Sequence, residues 1–343
     1  MRTLTSWLAC AAIACSMTVA DVRADELKER AAIVAEVARL MDANDYAGLE
    51  AMAKDFRQNK SRTESGVWKL SQFYGGISDK FDTRDQDGDT WDARGRWMTG
   101  WLKQYPSSPT ALLAGAQLRV NLAWAYRGTS GYAYKVDKER WAAFKAQNSF
   151  AGEYLNHIRK VGRKDPEWYS LALEVARKGG ASDTEYVALF DEATRRHPDY
   201  LEIHFQGVSN YVPKWGGNAE ALDALVILSQ KRVRAKDRAM LYARMYWAAS
   251  QFQYGTTLFE DSKANWPRMQ RGFDDMLERY PSEWNLQAYA YFACAAGDRT
   301  ASQNLISRMA QPPILKVWDK QAIYDDCRAQ SFTTASAGGQ NSF

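Results

Sequence analysis

The stretch NLQAYAYFACAAGDRTASQNLISRM, residues 285–309, contains the plainest structural unit of the chain. Apolar residues recur at helical spacing over residues 285–296 and again over residues 300–309. Gly297-Asp298 separates the two patterns, and glycine permits the backbone angles that a tight turn needs. Two helices joined by so short a turn pack antiparallel. The stretch therefore predicts one helix–turn–helix unit.

The same periodicity continues along most of the chain, whereas strand patterns are scarce. Residues 25–41 and 46–56 are predicted to form a first antiparallel pair. A third helix is predicted over residues 66–74, ending at Gly75-Gly76. Further helices are predicted over residues 90–104, 109–126, 138–161, 166–178, 183–196, 219–231, 237–254, 266–279, 282–296 and 300–309. The chain is therefore predicted to be all-α.

Three of these helices end in an aromatic residue or histidine followed by proline: Tyr105-Pro106, His197-Pro198 and Tyr280-Pro281. This motif resembles the C-terminal end of a tetratricopeptide repeat, in which proline ends the second helix of a pair. The spacing between these prolines differs greatly from the length of a regular repeat, which is about 34 residues. The repeats are therefore degenerate. We expect a right-handed stack of antiparallel helix pairs, a degenerate tetratricopeptide-like α-solenoid, as a single domain over residues 25–330. Residues 331–343, rich in Ser, Thr, Gly, Gln and Asn, are predicted to be a disordered tail.

The first 24 residues have the pattern of an export signal. Arg2 precedes an apolar run that is shorter than the about 20 residues of a membrane span. Val22-Arg23-Ala24 supplies the residues expected before a cleavage site at Asp25. Residues 1–24 are therefore predicted to be a signal peptide, and the mature protein is expected to be periplasmic or secreted. Lipid anchoring at Cys15 is the alternative.

Charge and apolarity limit the partners of the mature chain. The sequence contains 45 Lys and Arg against 41 Asp and Glu, a formal net charge of +4, without a basic block. The electrostatic footprint of a nucleic-acid binder is therefore missing, and no nucleic-acid partner is expected. No segment after the predicted signal is apolar enough to span a membrane.

Cysteine usage agrees with export. Two of the four cysteines lie in the predicted signal, so Cys294 and Cys327 remain as a pair. An even pair in an oxidising compartment favours one disulfide that closes the C-terminal region. Two buried free thiols are the alternative.

Catalytic and metal-binding motifs are missing from the sequence. It has no nucleophile elbow, phosphate loop or dinucleotide fingerprint. Aligning Gly88 with the sixth position of a calcium loop puts Thr83 first and Arg94 last, so this motif fails. The histidines lack zinc-site spacing: His157, His197 and His204. No metal, cofactor or enzymatic activity is predicted, although the paired carboxylates of a glycosidase need no sequence motif.

One loop combines aromatic residues with cations. Tyr211-Val212-Pro213-Lys214-Trp215-Gly216-Gly217 interrupts the helical pattern, because Pro213 cannot continue a helix and Gly216 and Gly217 permit unusual backbone angles. The residues predicted to line a binding groove are Arg127, Tyr211, Lys214 and Trp215. Such a groove would stack on a peptide aromatic, a sugar or a cation. In the alternative, Trp215 plugs the loop into the core and Lys214 extends to solvent.

The motif Lys214-Trp215-Gly216-Gly217 resembles that of a bacterial family, domain of unknown function 4034. Asn218 stands where a small Ser is more usual in that family. Further similarity lies in residues 46–56, 66–70, 73–76, 127–128, 200 and 318–328. The resemblance implies a tetratricopeptide-like helical protein that is exported or associated with the bacterial envelope. It implies no catalytic residues.

These features predict a non-enzymatic periplasmic helical-repeat protein that acts as a binding or assembly scaffold. Its concave face is expected to bind an extended peptide or a protein partner. An enzyme acting on envelope carbohydrate and a lipid-anchored protein at the membrane surface are the alternatives.

Overall fold

The structure is a computed structural model that describes residues 26–82, 88–128 and 136–332. In these ranges the α-helices are α1 Glu26–Asp42, α2 Tyr46–Asn59, α3 Lys69–Phe81, α4 Gly88–Gln104, α5 Pro109–Arg127, α6 Lys138–His157, α7 Arg159–Gly162, α8 Glu167–Gly179, α9 Asp183–Arg196, α10 Leu201–Tyr211, α11 Ala219–Arg232, α12 Arg238–Ala249, α13 Leu258–Asp261, α14 Trp266–Arg279, α15 Glu283–Ala295, α16 Arg299–Ser307, α17 Leu315–Trp318 and α18 Gln321–Phe332. Short 3₁₀ turns cover Pro213–Trp215, Ala235–Asp237 and Gly255–Thr257, and a π turn covers Ser250–Tyr254. The described residues contain no strand, so the predicted all-α class is confirmed.

The helices pack as a stack in which contacts join near neighbours along the chain. Helices α1, α3, α5, α8, α10, α12 and α14 each pack against the next member of this row. Helix α2 packs against α1, α3 and α5, and helices α9 and α11 each pack against two consecutive members of the row. This arrangement is that of a helical-repeat fold. None of the helices in the described ranges combines the length and the apolarity that a membrane crossing requires.

Helix α3 differs from its prediction. It begins at Lys69 and continues through Gly75 and Gly76 to Phe81. An added Cβ at Gly76 would lie 3.0 Å from the Val37 Cβ of α1. The prediction that Gly75-Gly76 ends this helix is wrong, because the missing side chain at Gly76 lets α1 and α3 approach closely.

Two other predicted helices are divided. The helix predicted over residues 138–161 breaks after His157, and α7 begins at Arg159. The helix predicted over residues 237–254 becomes a π turn after Ala249, so the wider turn begins at Ser250. Helical periodicity is the same before and after each break, and for this reason the pattern of apolar residues does not reveal them.

The C-terminal boundary also differs from its prediction at residue 330. Helix α18 continues to Phe332. Ser331 is buried, and its hydroxyl lies 2.7 Å from Ser302 Oγ and donates to the Cys327 carbonyl oxygen at 2.8 Å. The prediction that the disordered tail begins at residue 331 is therefore wrong. The predicted signal peptide and residues 333–343 lie outside the described residues.

Residues 57–68, the end of α2 and the loop that follows it, form a segment that we call the strap. At its start, Arg57 donates to Asp165 Oδ2 at 2.6 Å and to Thr110 Oγ1 at 2.7 Å. At its end, the Trp68 indole donates to the Asp199 carbonyl oxygen at 2.8 Å. The strap thereby contacts residues at the starts of α5, α8 and α10.

The middle of the strap reaches still later helices. The Ser65 carbonyl oxygen accepts a hydrogen bond from Asn285 Nδ2 at 3.2 Å and another from Arg244. Gly66 has a φ of 89° and lies so close to Tyr280 that an added Cβ would be 2.6 Å from the tyrosine ring. Only glycine fits this position, because the φ value and the close ring both disfavour a side chain. The strap therefore joins α12 and α15 to the first helix pair.

The strap is also hydrogen bonded to the buried Glu26 of α1. The Glu26 carboxylate accepts hydrogen bonds from Thr63 Oγ1 at 2.8 Å, Ser65 N at 2.7 Å and Ser65 Oγ at 2.8 Å. Arg30 forms an ion pair with the same carboxylate at 2.5 Å. Burial alone raises the pKa of Glu26, but Arg30 and Ser65 lower it by more, so the group is ionised at neutral pH.

We expect Trp68→Ala to lower the free energy of unfolding by about 3–5 kcal/mol, the range for losing a buried tryptophan. Trp68 is 2% exposed, and its ring packs edge to face on Tyr200 at 5.3 Å. The matched control is Trp215→Ala, which removes a tryptophan that is 38% exposed and is expected to cost less than about 1 kcal/mol. Chemical denaturation followed by circular dichroism measures both. Equal losses would show that the strap does not stabilise the stack.

The predicted disulfide joins Cys294 of α15 to Cys327 of α18, with Cα atoms 5.8 Å apart and a sequence separation of 33. Closing a loop of this size is expected to stabilise the fold by about 3–4 kcal/mol. We expect Cys327→Ser to lower the free energy of unfolding by this amount, measured in guanidinium chloride. Dithiothreitol should destabilise the wild type equally and leave the variant unchanged. A wild type that does not respond to the reductant would contradict the bond.

Candidate functional site

The backbone conformation of the loop that follows α10 is fixed by a proline and two glycines. Pro213 begins a 3₁₀ turn that ends at Trp215, and Gly216 follows with a φ of 90°. At Gly217 an added Cβ would lie 2.1 Å from the Tyr211 carbonyl oxygen. Gly216 is required by its φ value and Gly217 by the close approach of backbone, so the loop presents Lys214 and Trp215 in a defined position.

Trp215 and Lys214 follow neither sequence interpretation fully. The Trp215 side chain is 38% exposed and does not plug into the core. The Arg177 guanidinium lies over its ring, 5.0 Å from the centroid. Lys214 does not extend freely into solvent, because its Nζ donates to the Phe252 carbonyl oxygen at 2.6 Å. The cation fastens the loop to the π turn after α12, while the tryptophan remains accessible.

Tyr211, the last residue of α10, is buried next to the loop. It is only 9% exposed, and its ring meets that of Tyr186 edge to face at 6.1 Å. Burial raises the pKa of the Tyr211 hydroxyl. At the end of α10, Tyr211 packs against α9 and leaves little surface for a ligand; the expectation that it lines a groove stays a prediction.

Arg127 lies at the end of α5, where its aromatic contacts are different from those expected. Its guanidinium lies 5.3 Å from the Trp124 ring centroid and 5.9 Å from that of Trp141. Trp215 is instead stacked by Arg177 of α8. Residues of α8 therefore connect the Arg127 side of the predicted groove with the 213–217 loop.

Helix α8 was predicted over residues 166–178, but the contribution of its last turn to the candidate site was not. Glu174 and Lys178 form an ion pair at i, i+4 spacing. Lys178 Nζ lies 4.0 Å from the Trp124 ring centroid, and the Trp124 indole donates to Glu174 Oε1 at 3.2 Å. Arg177, between them in sequence, donates to Ser209 Oγ of α10. The signal that could have found this link is the acid–base spacing immediately before Gly179-Gly180.

We call these residues of α5, α6, α8 and the 213–217 loop the cation–aromatic cluster: Trp124, Arg127, Trp141, Glu174, Arg177, Lys178, Lys214 and Trp215. Burial lowers the pKa of Lys178 to about 8, against the opposing effect of Glu174. Burial raises the pKa of Glu174, but Lys178, Arg177 and Trp124 together lower it by more, so the pKa of the carboxyl is lowered. Both partners are therefore ionised at neutral pH. Glu174 is the one carboxylate that belongs to the cluster, and it is already paired with Lys178.

Acids with a raised pKa lie elsewhere, in the core. Burial raises the pKa of Glu167 well above its ordinary value, and this carboxyl accepts a hydrogen bond from the Tyr200 hydroxyl at 2.6 Å. Burial also raises the pKa of Glu202. Neither residue belongs to the cluster, and their burial is typical of structural groups inside a helix stack.

Metal ligands and histidines give no site in the described part of the chain. No group of three or more His, Cys, Asp or Glu side chains there could hold a metal ion. Residues 83–87 of the acidic loop lie outside the described residues. Burial lowers the pKa of His204 to about 4, and its Nε2 lies 2.9 Å from the Pro198 carbonyl oxygen. His204 is therefore a neutral core residue at physiological pH.

We expect Lys178→Met to lower the free energy of unfolding by about 3–5 kcal/mol, because it leaves Glu174 buried without its cation. The double variant Lys178→Met with Glu174→Gln removes both charges, keeps an acceptor for Trp124, and is expected to regain most of that loss. Denaturation of the wild type, both single variants and the double variant completes a double-mutant cycle. Additive losses would show that the two charges are independent.

No protein-family model, curated protein or solved structure matches the chain. The resemblance of Lys214-Trp215-Gly216-Gly217 to the domain of unknown function 4034 family stays a prediction.

Proposed function

We propose that the protein is a non-enzymatic helical-repeat scaffold of the periplasm, and that its cation–aromatic cluster binds an acidic peptide segment of a partner protein. The observation on which this depends is Trp215, which is 38% exposed with Arg177 stacked on it. The loop geometry holds the indole at the surface. An exposed tryptophan held in place loses little conformational entropy when a partner covers it.

The aromatic part of the cluster supplies the apolar contact. Tryptophan and arginine are the residues most often found at binding hot spots, because both combine a flat surface with a polar edge. Trp215 and Arg177 present this pair on neighbouring elements, the 213–217 loop and the end of α8. A partner side chain or backbone segment stacked on the indole would bury this surface.

The charge of the cluster selects the kind of partner. Glu174 is the only carboxylate within the cluster and is paired with Lys178. The cations Arg177 and Lys214 form no ion pair within the described residues and therefore give the cluster a positive surplus. Glutamate and aspartate side chains on the partner would complement it, and binding would weaken as salt screens these charges.

The compartment is supported by covalent chemistry. The bond between Cys294 and Cys327 is of the kind that persists in oxidising compartments such as the periplasm. The predicted signal over residues 1–24 and the resemblance to an exported bacterial family point to the same compartment.

The test is binding of fluorescent Glu-rich peptides with one aromatic residue, together with crosslinking pull-down from periplasm. We expect Lys214→Ala with Trp215→Ala to weaken binding more than about tenfold, the loss typical of a hot-spot pair. The matched control is Lys145→Ala with Phe150→Ala, which removes an exposed cation and an exposed aromatic residue of α6 outside the cluster. Affinity should fall with added salt in the wild type.

Equal affinities for the wild type and the loop variant would reject the cluster as the binding site. Preference for Lys-rich over Glu-rich peptides would reject the acidic partner. Hydrolysis of envelope carbohydrate by the purified protein would reject the non-enzymatic assignment.

A further inference from the structure

A cavity of about 190 Å³ lies where the strap meets the turns before α10, α12 and α15. It is lined by Arg62 and Gly66 of the strap and by residues of those turns and helices: Pro198, Asp199, Leu201, Val233, Arg234, Lys236, Asp237, Met240, Leu241, Arg244, Arg279 and Tyr280. None of these residues belongs to the cation–aromatic cluster. The cavity is thus separate from the cluster. Two of the helix-ending proline motifs contribute to its lining, through Pro198 and Tyr280.

The two carboxylates of the cavity wall are already neutralised. Asp199 Oδ2 lies 3.2 Å from Lys60 Nζ and 3.4 Å from Arg62 Nη2. Asp237 is paired with Arg234 at 2.8 Å and with Arg279 at 2.5 Å. These arginines lower the pKa of Asp237, despite its partial burial. Neither aspartate is therefore available to other cations of the wall.

Two cations of the wall remain without a carboxylate. Within the described ranges, Arg244 and Lys236 form no ion pair, although both line the cavity. Arg244 is 4% exposed, and its side chain makes one hydrogen bond, to the Ser65 carbonyl oxygen. A guanidinium has five N–H donors, so most of the hydrogen-bonding capacity of Arg244 is unused by the protein.

Glu26 does not resolve this imbalance. Glu26 acts on Arg244 electrostatically, but its carboxylate already accepts hydrogen bonds from Arg30, Thr63 and Ser65. Burial lowers the pKa of Arg244 to about 10, and the side chain is therefore still charged at neutral pH. A buried charge without a partner is costly, and proteins normally pair such a charge or use it to bind a ligand.

The rest of the wall is apolar and the space is small. Leu201, Val233, Met240 and Leu241 supply aliphatic surface beside the cations. The volume of about 190 Å³ is below the about 300–1,000 Å³ of pockets that enclose drug-sized ligands. The cavity therefore fits an anionic group with a short apolar body.

We propose that this cavity binds the oxyanion of a small acid, a carboxylate or a phosphate, with Arg244 as the buried counter-ion and Lys236 as the cation at the entrance. Arg244 presents its free donors to the oxyanion oxygens, and the aliphatic wall contacts the carbon atoms of the ligand. Binding there also stabilises the strap, since Arg244 and Ser65 are hydrogen bonded.

Isothermal titration calorimetry of the full chain tests this site with inorganic phosphate, methyl phosphate, acetate and butyrate, at constant ionic strength in chloride. We expect saturable binding by one of the two pairs, and the preferred pair identifies the oxyanion as phosphate or carboxylate. Lys236→Gln, at an exposed position, is expected to weaken binding about tenfold, the loss of one charge-assisted hydrogen bond. Arg244→Met is expected to abolish it.

The matched control is Lys103→Gln, an exposed lysine of α4 outside the cavity, which should bind like the wild type. Lys236→Gln keeps the test decisive if Arg244→Met fails to fold. No saturable binding by the wild type, or equal affinity in wild type and Lys236→Gln, would overturn the proposal. The Lys214→Ala with Trp215→Ala variant should retain anion binding, so failure of the peptide site and failure of this site are distinguishable.

Discussion

The hydrogen bonds of Ser65 are the interaction on which the rest of the structure depends. Its carbonyl oxygen accepts from Arg244 and Asn285, and its N–H and hydroxyl donate to Glu26. A helical-repeat stack otherwise has only near-neighbour contacts, so its ends are free to move relative to each other. The strap adds contacts between the first helix pair and α12 and α15. Because buried backbone groups must find partners, the strap can lie inside the stack only where side chains of several helices satisfy it.

This arrangement places charges inside the molecule. Two ion pairs are examples, Arg57–Asp165 and Glu26–Arg30. In each pair, the contacts of a charged group with water are replaced by an opposite charge and by hydrogen bonds. Such pairs stabilise little by themselves, but losing one partner is costly. Two regions depart from this balance, the cation–aromatic cluster and the cavity beside the strap. In both, the cations outnumber the available carboxylates, and an anionic partner would restore the balance: an acidic peptide at the surface and a small oxyanion in the cavity.

Much of the fold follows from periodicity, and the candidate site follows only in part. Most helices and the break at Pro213 were predicted from local features, and the pairing of Cys294 with Cys327 from the cysteine count. Helices α10 and α18 were not predicted. The end of α3 was not, because a glycine pair has the same appearance in a turn and at a close helix contact. The burial of Tyr211 was not predicted for a similar reason, since residue type does not show which side of a helix end faces the core. The helix over residues 166–178 was predicted, but the part of α8 in the candidate site was not, because its charged last turn resembles an ordinary solvated surface.

The amino-acid sequence by itself determined that the chain is all-α, that the 211–217 segment leaves the helical pattern, and that two cysteines remain after the predicted signal. These properties depend on residues close together in the chain, through helix periodicity and backbone preference. Only the tertiary structure decided that Trp215 is held by Arg177, that the strap crosses the stack, and that Arg244 lines a cavity without a carboxylate. Those properties depend on which distant residues meet, and on the electrostatic cost of the charges that the packing buries.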